Sequence, residues 1–328
     1  MTGGRRRALV TGITGQDGSI LAEQLLADGY EVWGLVRRPD EQGLGCAEHL
    51  RPRVRLIAGD LLSAETLTAA VTQLRPDQLF HLAAPTFVPD SWERPDEFAA
   101  AIVGATATLL RAVSEHSPQT RVLFAASGDM FGDAPETPQN ELTPCRPRNP
   151  YATAKLAAHQ LVGQLRDHAG LYVCSAILFN HESERRPVRF VSRKVTRAAA
   201  EIKLGLASEL TLGDTSAVRD WSDAGDVMRG CRLMLTREEP QDYVLASGVA
   251  HTVQDLVDVA FAHVGLDPAR HVRIDADLVR GPERTAAIGD PARARSELGW
   301  EPVVTFTQLI ARMVDADLAE LSTRPTAP

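Results

Sequence analysis

Short, mainly apolar runs alternate along the first half of the chain with longer stretches whose apolar positions recur at the helical spacing. The runs at 7–10, 31–36, 54–58, 78–83, 121–126 and 172–178 read as strands buried on both faces. Between them, 18–28 places Ile20, Leu21, Leu25 and Leu26 on one side of a helix, and 64–73 and 96–115 read as helices as well. Strands alternating with helices predict an α/β chain built on a parallel, doubly wound sheet. The alternation breaks after Leu178. Segments 180–220 and 249–328 read as loop-rich, helical in part and dense in arginine, while 242–246 reads as one more strand returning to the sheet. The expected organisation is a sheet domain over 1–178, rejoined by about 221–248, with a smaller interleaved lobe formed by 179–220 and 249–328. No internal repeat or low-complexity segment interrupts this pattern, and the Thr- and Pro-rich tail after Ser322 is expected to fray.

The first strand runs directly into Gly12-Ile13-Thr14-Gly15-Gln16-Asp17-Gly18, a G-x-x-G-x-x-G loop that opens a helix. Glycines at this spacing allow the tight turn and let backbone amides approach a pyrophosphate at the helix N-terminus. Strand, loop and helix together make this a dinucleotide site of the Rossmann type. Gly12, Thr14, Gly15, Gln16, Asp17 and Gly18 are its candidate residues. The second strand ends in Arg37 and Arg38, where an acid would select the free ribose 2′-hydroxyl. Two arginines favour a 2′-phosphate, so the expected cofactor is NADP(H). Asp60 and Leu61 follow the third strand and are placed to flank the adenine; Ala83, closing the fourth, joins the cofactor set.

Tyr151 and Lys155 lie four residues apart on a predicted helix and share one face. The pair can meet in one pocket, where the ammonium is expected to lower the phenol's pKa. A phenol so tuned exchanges a proton with a sugar hydroxyl while a nicotinamide exchanges the hydride. Ser127, at the end of the strand 121–126, is the natural third member. Tyr and Lys at this spacing also occur by chance on surface helices; the glycine loop and Ser127 are what favour the catalytic reading.

Bulk properties fit this picture. The chain has 328 residues, 44% hydrophobic and 24% charged, ordinary for a soluble protein with one large core. A net charge of −8 argues against a nucleic-acid partner. No uncharged apolar run approaches the length of a membrane span, and the short basic start leads straight into a strand rather than a leader. Cys46, Cys145, Cys174 and Cys231 are far apart in sequence, so reduced thiols, no structural metal and a cytoplasmic location are expected.

These residues together resemble the extended short-chain dehydrogenase/reductases that modify nucleotide sugars, from about Arg7 to about Leu321. The resemblance narrows to the GDP-mannose 4,6-dehydratase family. It is carried by the loop Thr11 to Ser19, by Phe179-Asn180-His181-Glu182-Ser183-Glu184-Arg185-Arg186 with Phe190 to Lys194, by Gly213-Asp214 with Arg219-Asp220-Trp221, and by Arg280 to Glu283. It implies a GDP-hexose substrate whose diphosphate and guanine gather Asn180, Arg185, Lys194, Arg219 and Arg280, with Glu283 accepting from guanine or ribose and Thr86 beside the sugar. Arginine suits phosphate because its planar fork donates two bonds. As alternatives, Arg185 and Arg186 are plain surface charges and Arg219–Asp220 a structural ion pair; His181 and His251 are taken as structural or peripheral.

The site loop departs from the family. It reads Ala126-Ser127-Gly128-Asp129-Met130-Phe131, where the dehydratases carry a hydroxyl residue, then Ser, then Glu. In their reaction Tyr and NADP⁺ oxidise C4, the Glu removes the C5 proton, water leaves from C6, and the hydride returns. Here Gly128 stands for the assisting Ser and Asp129 for the basic Glu. Asp129 is one methylene short, and a misplacement near 1 Å can cost about a hundredfold. Ser-Gly-Asp resembles instead the GDP-4-keto-6-deoxy-mannose reductases, which need only hydride delivery and a proton from Tyr. The expected activity is therefore hydride transfer at C4 of a GDP-mannose-type sugar, with Ser127, Asp129, Tyr151 and Lys155 as the catalytic set. The reductase is preferred over a dehydratase using Asp129, a GDP-sugar epimerase, and a non-enzymatic NADP(H)-binding regulator. Phe131 is assigned to packing. Relatives pair through the Tyr–Lys helix and the helix 96–115, so a homodimer is expected, with a tetramer as the alternative.

Overall fold

The computed structural model describes residues 5–40, 43–278 and 285–323. Its centre is a seven-stranded sheet in the order β10-β6-β5-β4-β1-β2-β3, with every neighbouring pair parallel. The strands are β1 (Arg7–Thr11), β2 (Glu31–Val36), β3 (Arg55–Ala58), β4 (Gln78–His81), β5 (Arg121–Ala125), β6 (Val173–Leu178) and β10 (Tyr243–Leu245). β4 and β6 are buried along their whole length, as strands covered on both faces must be. The expected fold class is thus the observed one. β10 returns to the sheet beside β6, pairing Tyr243 with Ala176.

One face is covered by α1 (Gln16–Ala27), through Ile20, Leu21 and Leu25, and by α8 (Ala224–Met234) with Trp300. The other carries α2 (Ala64–Leu74), α5 (Ala105–His116) and α6 (Pro150–Ala169), which bury Leu67, Val71, Leu109, Val113 and Val162. α3 (Val88–Glu93) and α4 (Pro95–Ala99) lead into α5 through a π-helical segment at Ala100–Gly104, which the periodicity does not reveal. The helix Pro95–His116 is long and apolar enough by composition to cross a membrane, but half of its apolar window is buried within the protein. That is the behaviour of a core helix.

The start of α6 matters most for function. Asn149 caps it by accepting from the Ala152 amide at 2.8 Å, and Pro150 takes the first helical position. The cap sets Tyr151 in the first turn with its side chain facing the sheet.

The remaining elements form a second body. β7 (Asn180–Glu182), β9 (Val218–Asp223) and β11 (Ala250–Thr252) make a three-stranded sheet, and β8 (Leu210–Leu212) pairs with β12 (Val272–Ile274). α7 (Val191–Lys203), α9 (Val253–His263) and α12 (Phe306–Ser322) pack around Val195, Leu256, Phe261, Leu309 and Met313, while α10 (Pro268–His271) and α11 (Ala292–Leu298) are short. The expectation of a loop-rich lobe understates its order. Two of its arginines are drawn into buried ion pairs with Asp317 of α12, which is fully buried: Arg193 meets it at 2.7 Å and Arg197 at 3.6 Å, and Thr196 donates to the same carboxylate at 2.9 Å. Asp317→Ala would strand the Arg193 guanidinium in the interior. It is expected to cost about 3–5 kcal/mol, read as a lowered urea midpoint at unchanged slope.

Candidate active site

The cofactor loop is shaped by close approach. Gly12 has a φ of 78°, and a Cβ at Gly18 would lie 2.2 Å from the Gly12 carbonyl oxygen, so α1 seats directly on the turn only because Gly18 has no side chain. The helix begins after Gly15 with no side-chain cap, which leaves its first amides to a ligand. The residues present therefore fit a pyrophosphate. Thr11 ties the neighbouring strand ends together: its Oγ1 lies 2.9 Å from His81 Nδ1 and accepts from the Ala83 amide at 3.1 Å. Arg37 and Arg38 are exposed at the end of β2, and Asp60 and Leu61 follow β3.

Four residues expected to act together do converge at the carboxyl end of β5 and the start of α6. Ser127 follows β5, and its hydroxyl accepts from the Asp129 amide at 3.2 Å and bonds the Tyr151 phenol. Tyr151 is buried; burial pushes its phenol up, the Asp129 carboxylate adds to this, and Ser127 opposes it. Lys155, buried as well, donates to the Ala125 carbonyl at 2.6 Å and lies 5.8 Å from the Tyr151 ring centre. Burial brings its ammonium down to about 8, with Asp17 pulling the other way. The expectation that this ammonium lowers the phenol is not met in the protein alone: burial dominates, and the groups that oppose it are Ser127 and Arg186. The Asp129 side chain is exposed.

The space beside Gly128 is filled. A Cβ there would meet the Phe179 ring at 3.2 Å, and one at Gly289 would meet the same ring at 2.8 Å. Phe179 also stacks on Phe131, with ring centres 5.9 Å apart, which accounts for Phe131 as a packing residue. Phe179 is thus wedged between two glycines at the base of the site. Asp220, whose ion pair with Arg219 was the alternative reading of the sequence, accepts from the Ser247, Gly248 and Gly289 amides, pinning Gly289 in place.

The residues assigned to substrate are less tightly gathered. Asn180 opens β7, half-buried, and Thr86 is exposed before α3. Arg185 and Lys194 line one cavity of about 740 Å³ together with Arg186, Leu210 and Thr211. Arg185 is directed towards α1, donating to Ser19 Oγ at 2.9 Å and Glu23 at 2.6 Å, while Lys194 donates to the Thr211 carbonyl at 2.7 Å. Arg219 donates to the Val218 carbonyl at 2.7 Å and lies on β9, bridged to Ala287. Arg280 and Glu283 lie outside the described residues.

His181, set aside in the sequence, contacts the cofactor loop. Its Nε2 meets Asp17 at 3.0 Å, and next to it Ser183 donates to Gln16 at 2.8 Å. No spacing rule joins residue 17 to residue 181; only the topology does.

A doubly wound sheet carrying a glycine loop, a buried Tyr–Lys pair and a serine at the adjoining strand end defines a nucleotide-sugar enzyme of the extended short-chain dehydrogenase/reductase class. The sequence model of the GDP-mannose 4,6 dehydratase family matches residues 9–313, and the chain belongs to that family. It is 44% identical to GDP-mannose 4,6 dehydratase 1 of Arabidopsis thaliana over 98% of this chain and 91% of that protein. It is 37% identical to the Homo sapiens GDP-mannose 4,6 dehydratase over 98% of this chain and 94% of that one. Among solved structures, RMD from Pseudomonas aeruginosa complexed with NADPH superposes with a TM-score of 0.82 at 27% identity, over 96% of this chain and 99% of the other.

Two outcomes follow from this geometry. Gly128→Ser should destabilise the protein by about 1–3 kcal/mol in urea unfolding, and Phe179→Leu in the same chain should return part of that loss by giving the new side chain room. The Lys155 ammonium is present below about pH 8 and lost above it. kcat/KM for the dinucleotide, which reports the free enzyme, should therefore fall as pH rises through about 8, and the residual activity of Lys155→Met should lack that limb.

Proposed function

We propose that this protein catalyses NADP(H)-dependent hydride transfer at C4 of a GDP-mannose-type sugar, and that its reaction is the reduction of a GDP-4-keto-6-deoxy-hexose. The observation that carries the reading is the loop Ser127-Gly128-Asp129 with Phe179 packed against Gly128. The proton-transfer trio is complete, whereas position 128 offers no side-chain hydroxyl and the acid beside it is one methylene short and exposed.

The glycine loop, with Arg37 and Arg38 towards a 2′-phosphate, would hold a dinucleotide, which when bound would supply the hydride for C4. Ser127 holds the carbonyl oxygen of the substrate. Tyr151, kept neutral by burial, gives its proton to that oxygen as the C4 alcohol forms. Lys155, fixed by the Ala125 carbonyl, offers its charge to the phenolate left behind and to the neighbouring cofactor ribose. Lys194 and Arg219, with Asn180, serve the diphosphate and the base.

A second reading, GDP-mannose 4,6-dehydratase with Asp129 as base, is favoured by the 44% identity to the Arabidopsis thaliana enzyme across nearly the whole chain.

One incubation series separates them. With NADPH and GDP-4-keto-6-deoxy-mannose, the reductase consumes NADPH and NMR shows a C4 alcohol. With GDP-mannose and NADP⁺, loss of the C6 oxygen would overturn the reductase in favour of the dehydratase. Gly128→Ser with Asp129→Glu should raise any trace of dehydration; no rise would mean that this loop does not decide the chemistry. Tyr151→Phe should lower turnover by roughly a hundredfold or more while dinucleotide binding, followed by fluorescence titration, persists.

A further inference from the structure

We infer that Gln139 is a positioning residue for the C4 step: it locks the strap 285–290, which is bonded to β9, onto the loop that sets Ser127 against Tyr151. The inference rests on the reading that these two residues carry the C4 step, and it holds for the reductase and the dehydratase alike, since both transfer a hydride at C4.

Gln139 lies in an excursion of the chain, 133–145, that separates the two catalytic residues. Its neck is closed by the Arg146 amide, which donates to the Phe131 carbonyl at 3.0 Å, and by the Asp133 amide, which donates to the Arg146 carbonyl at 3.0 Å. Ser127 lies just before this neck, and the Asn149 cap of the Tyr151 helix just after it. Whatever holds the excursion therefore holds the spacing between Ser127 and Tyr151.

The strap is what holds it. Gln139 is 2% exposed, and a buried amide is costly unless its donors and its acceptor are all bonded. Its Nε2 donates to the Glu136 carbonyl at 2.9 Å and to the Ala286 carbonyl at 3.0 Å, while its Oε1 accepts from the Ile288 amide at 3.1 Å. Its backbone donates to the Ile288 carbonyl and accepts from the Asp290 amide, both at 2.7 Å. Thr137 adds a bond to the Ala286 carbonyl at 3.1 Å, and Thr285 one to the Ala134 carbonyl at 2.8 Å. A slip of the strap by one residue would leave the buried amide unpaired, so the side chain specifies a single register.

The other edge of the strap meets the second body. Ala287 bridges Arg219 of β9, and its carbonyl accepts from the Asp220 amide at 3.1 Å. Gly289, bonded to the Asp220 carboxylate, seats Phe179, whose ring lies against Gly128 and Phe131. A shift of the strap thus reaches the Ser127 turn by two routes, through Gln139 to the neck and through Gly289 and Phe179 to Gly128. β9, with Arg219, and the proton-transfer residues are held in one hydrogen-bonded layer.

The test uses the full chain with Gln139→Met, which keeps the side chain's length and removes its three hydrogen bonds. It is read by hydrogen exchange with mass spectrometry and by steady-state kinetics. In the parent the Asp129, Met130 and Phe131 amides are all bonded within the Ser127 turn, so their exchange reports that turn. Gln139→Met should speed their exchange by about tenfold or more, with α12 exchanging as in the parent. It should also lower kcat by about tenfold, as a shift of well under 1 Å at the reacting groups does. KM for the GDP-sugar and Kd for NADP⁺ should stay within about threefold of the parent. Both changes together support the inference. A lowered urea midpoint with the turn's exchange or kcat at the parent value would mean a purely structural contact and overturn it. If Gln139→Met shows no thermal transition, Thr137→Val, which removes one exposed bond to the strap, is read in the same way with about threefold as the expected change. A parent that turns over neither GDP-mannose nor GDP-4-keto-6-deoxy-mannose would overturn the proposed reaction instead, and the exchange of the Ser127 turn would then decide the positioning by itself.

Discussion

A parallel sheet delivers the carboxyl ends of all its strands to one edge, and the chemistry of this protein is decided by what meets along it. β1 brings the glycine loop, β4 the turn at Ala83, and β5 Ser127 and the carbonyl that holds Lys155. β6 runs directly into Phe179 and the segment that touches the loop again. The central strands β4 and β6 are buried on both faces, so their order is fixed by packing, and the functional groups are fixed with it.

Phe179 ties the packing beneath the site to the catalytic loop. It leans on Phe131, fills the space that a side chain at position 128 would need, and occupies the flank of Gly289, which Asp220 holds by its amide. The loss of a hydroxyl at 128 is therefore not an isolated change at the surface of the site. It belongs to a small aromatic core beneath the catalytic loop, in which Phe179 packs on Phe131 and against Gly128 and Gly289.

The burial of Tyr151 and Lys155 works in the same direction. Desolvation disfavours both charged forms, keeping the phenol protonated and bringing the ammonium near its titration point. Such a pair is sensitive to any charge that enters the site. The second body supplies part of that environment through the His181–Asp17 contact, and its helices are clamped by Arg193 and Asp317.

Much of this was legible in the chain. The period of the apolar positions revealed the sheet and its helices, because burial on both faces leaves uniform apolar runs at strand length. The glycine loop, Ser127, Tyr151 and Lys155 were legible because each rests on a local rule: a turn that needs no Cβ, a strand end, a helical spacing. What the sequence could not disclose depends on residues distant along the chain. Nothing in the arginine-dense segment announced that Arg193 and Arg197 would meet Asp317 of α12, and the alternative of an Arg219–Asp220 ion pair fell only when strand alternation turned Asp220 to Gly289. The neighbours of Gly128, and the meeting of residues 17 and 181, are set by how β6 and β7 cross the edge of the sheet. Local geometry is written in neighbouring residues, whereas the sign and burial of a site's charges depend on which distant groups the topology encloses with them.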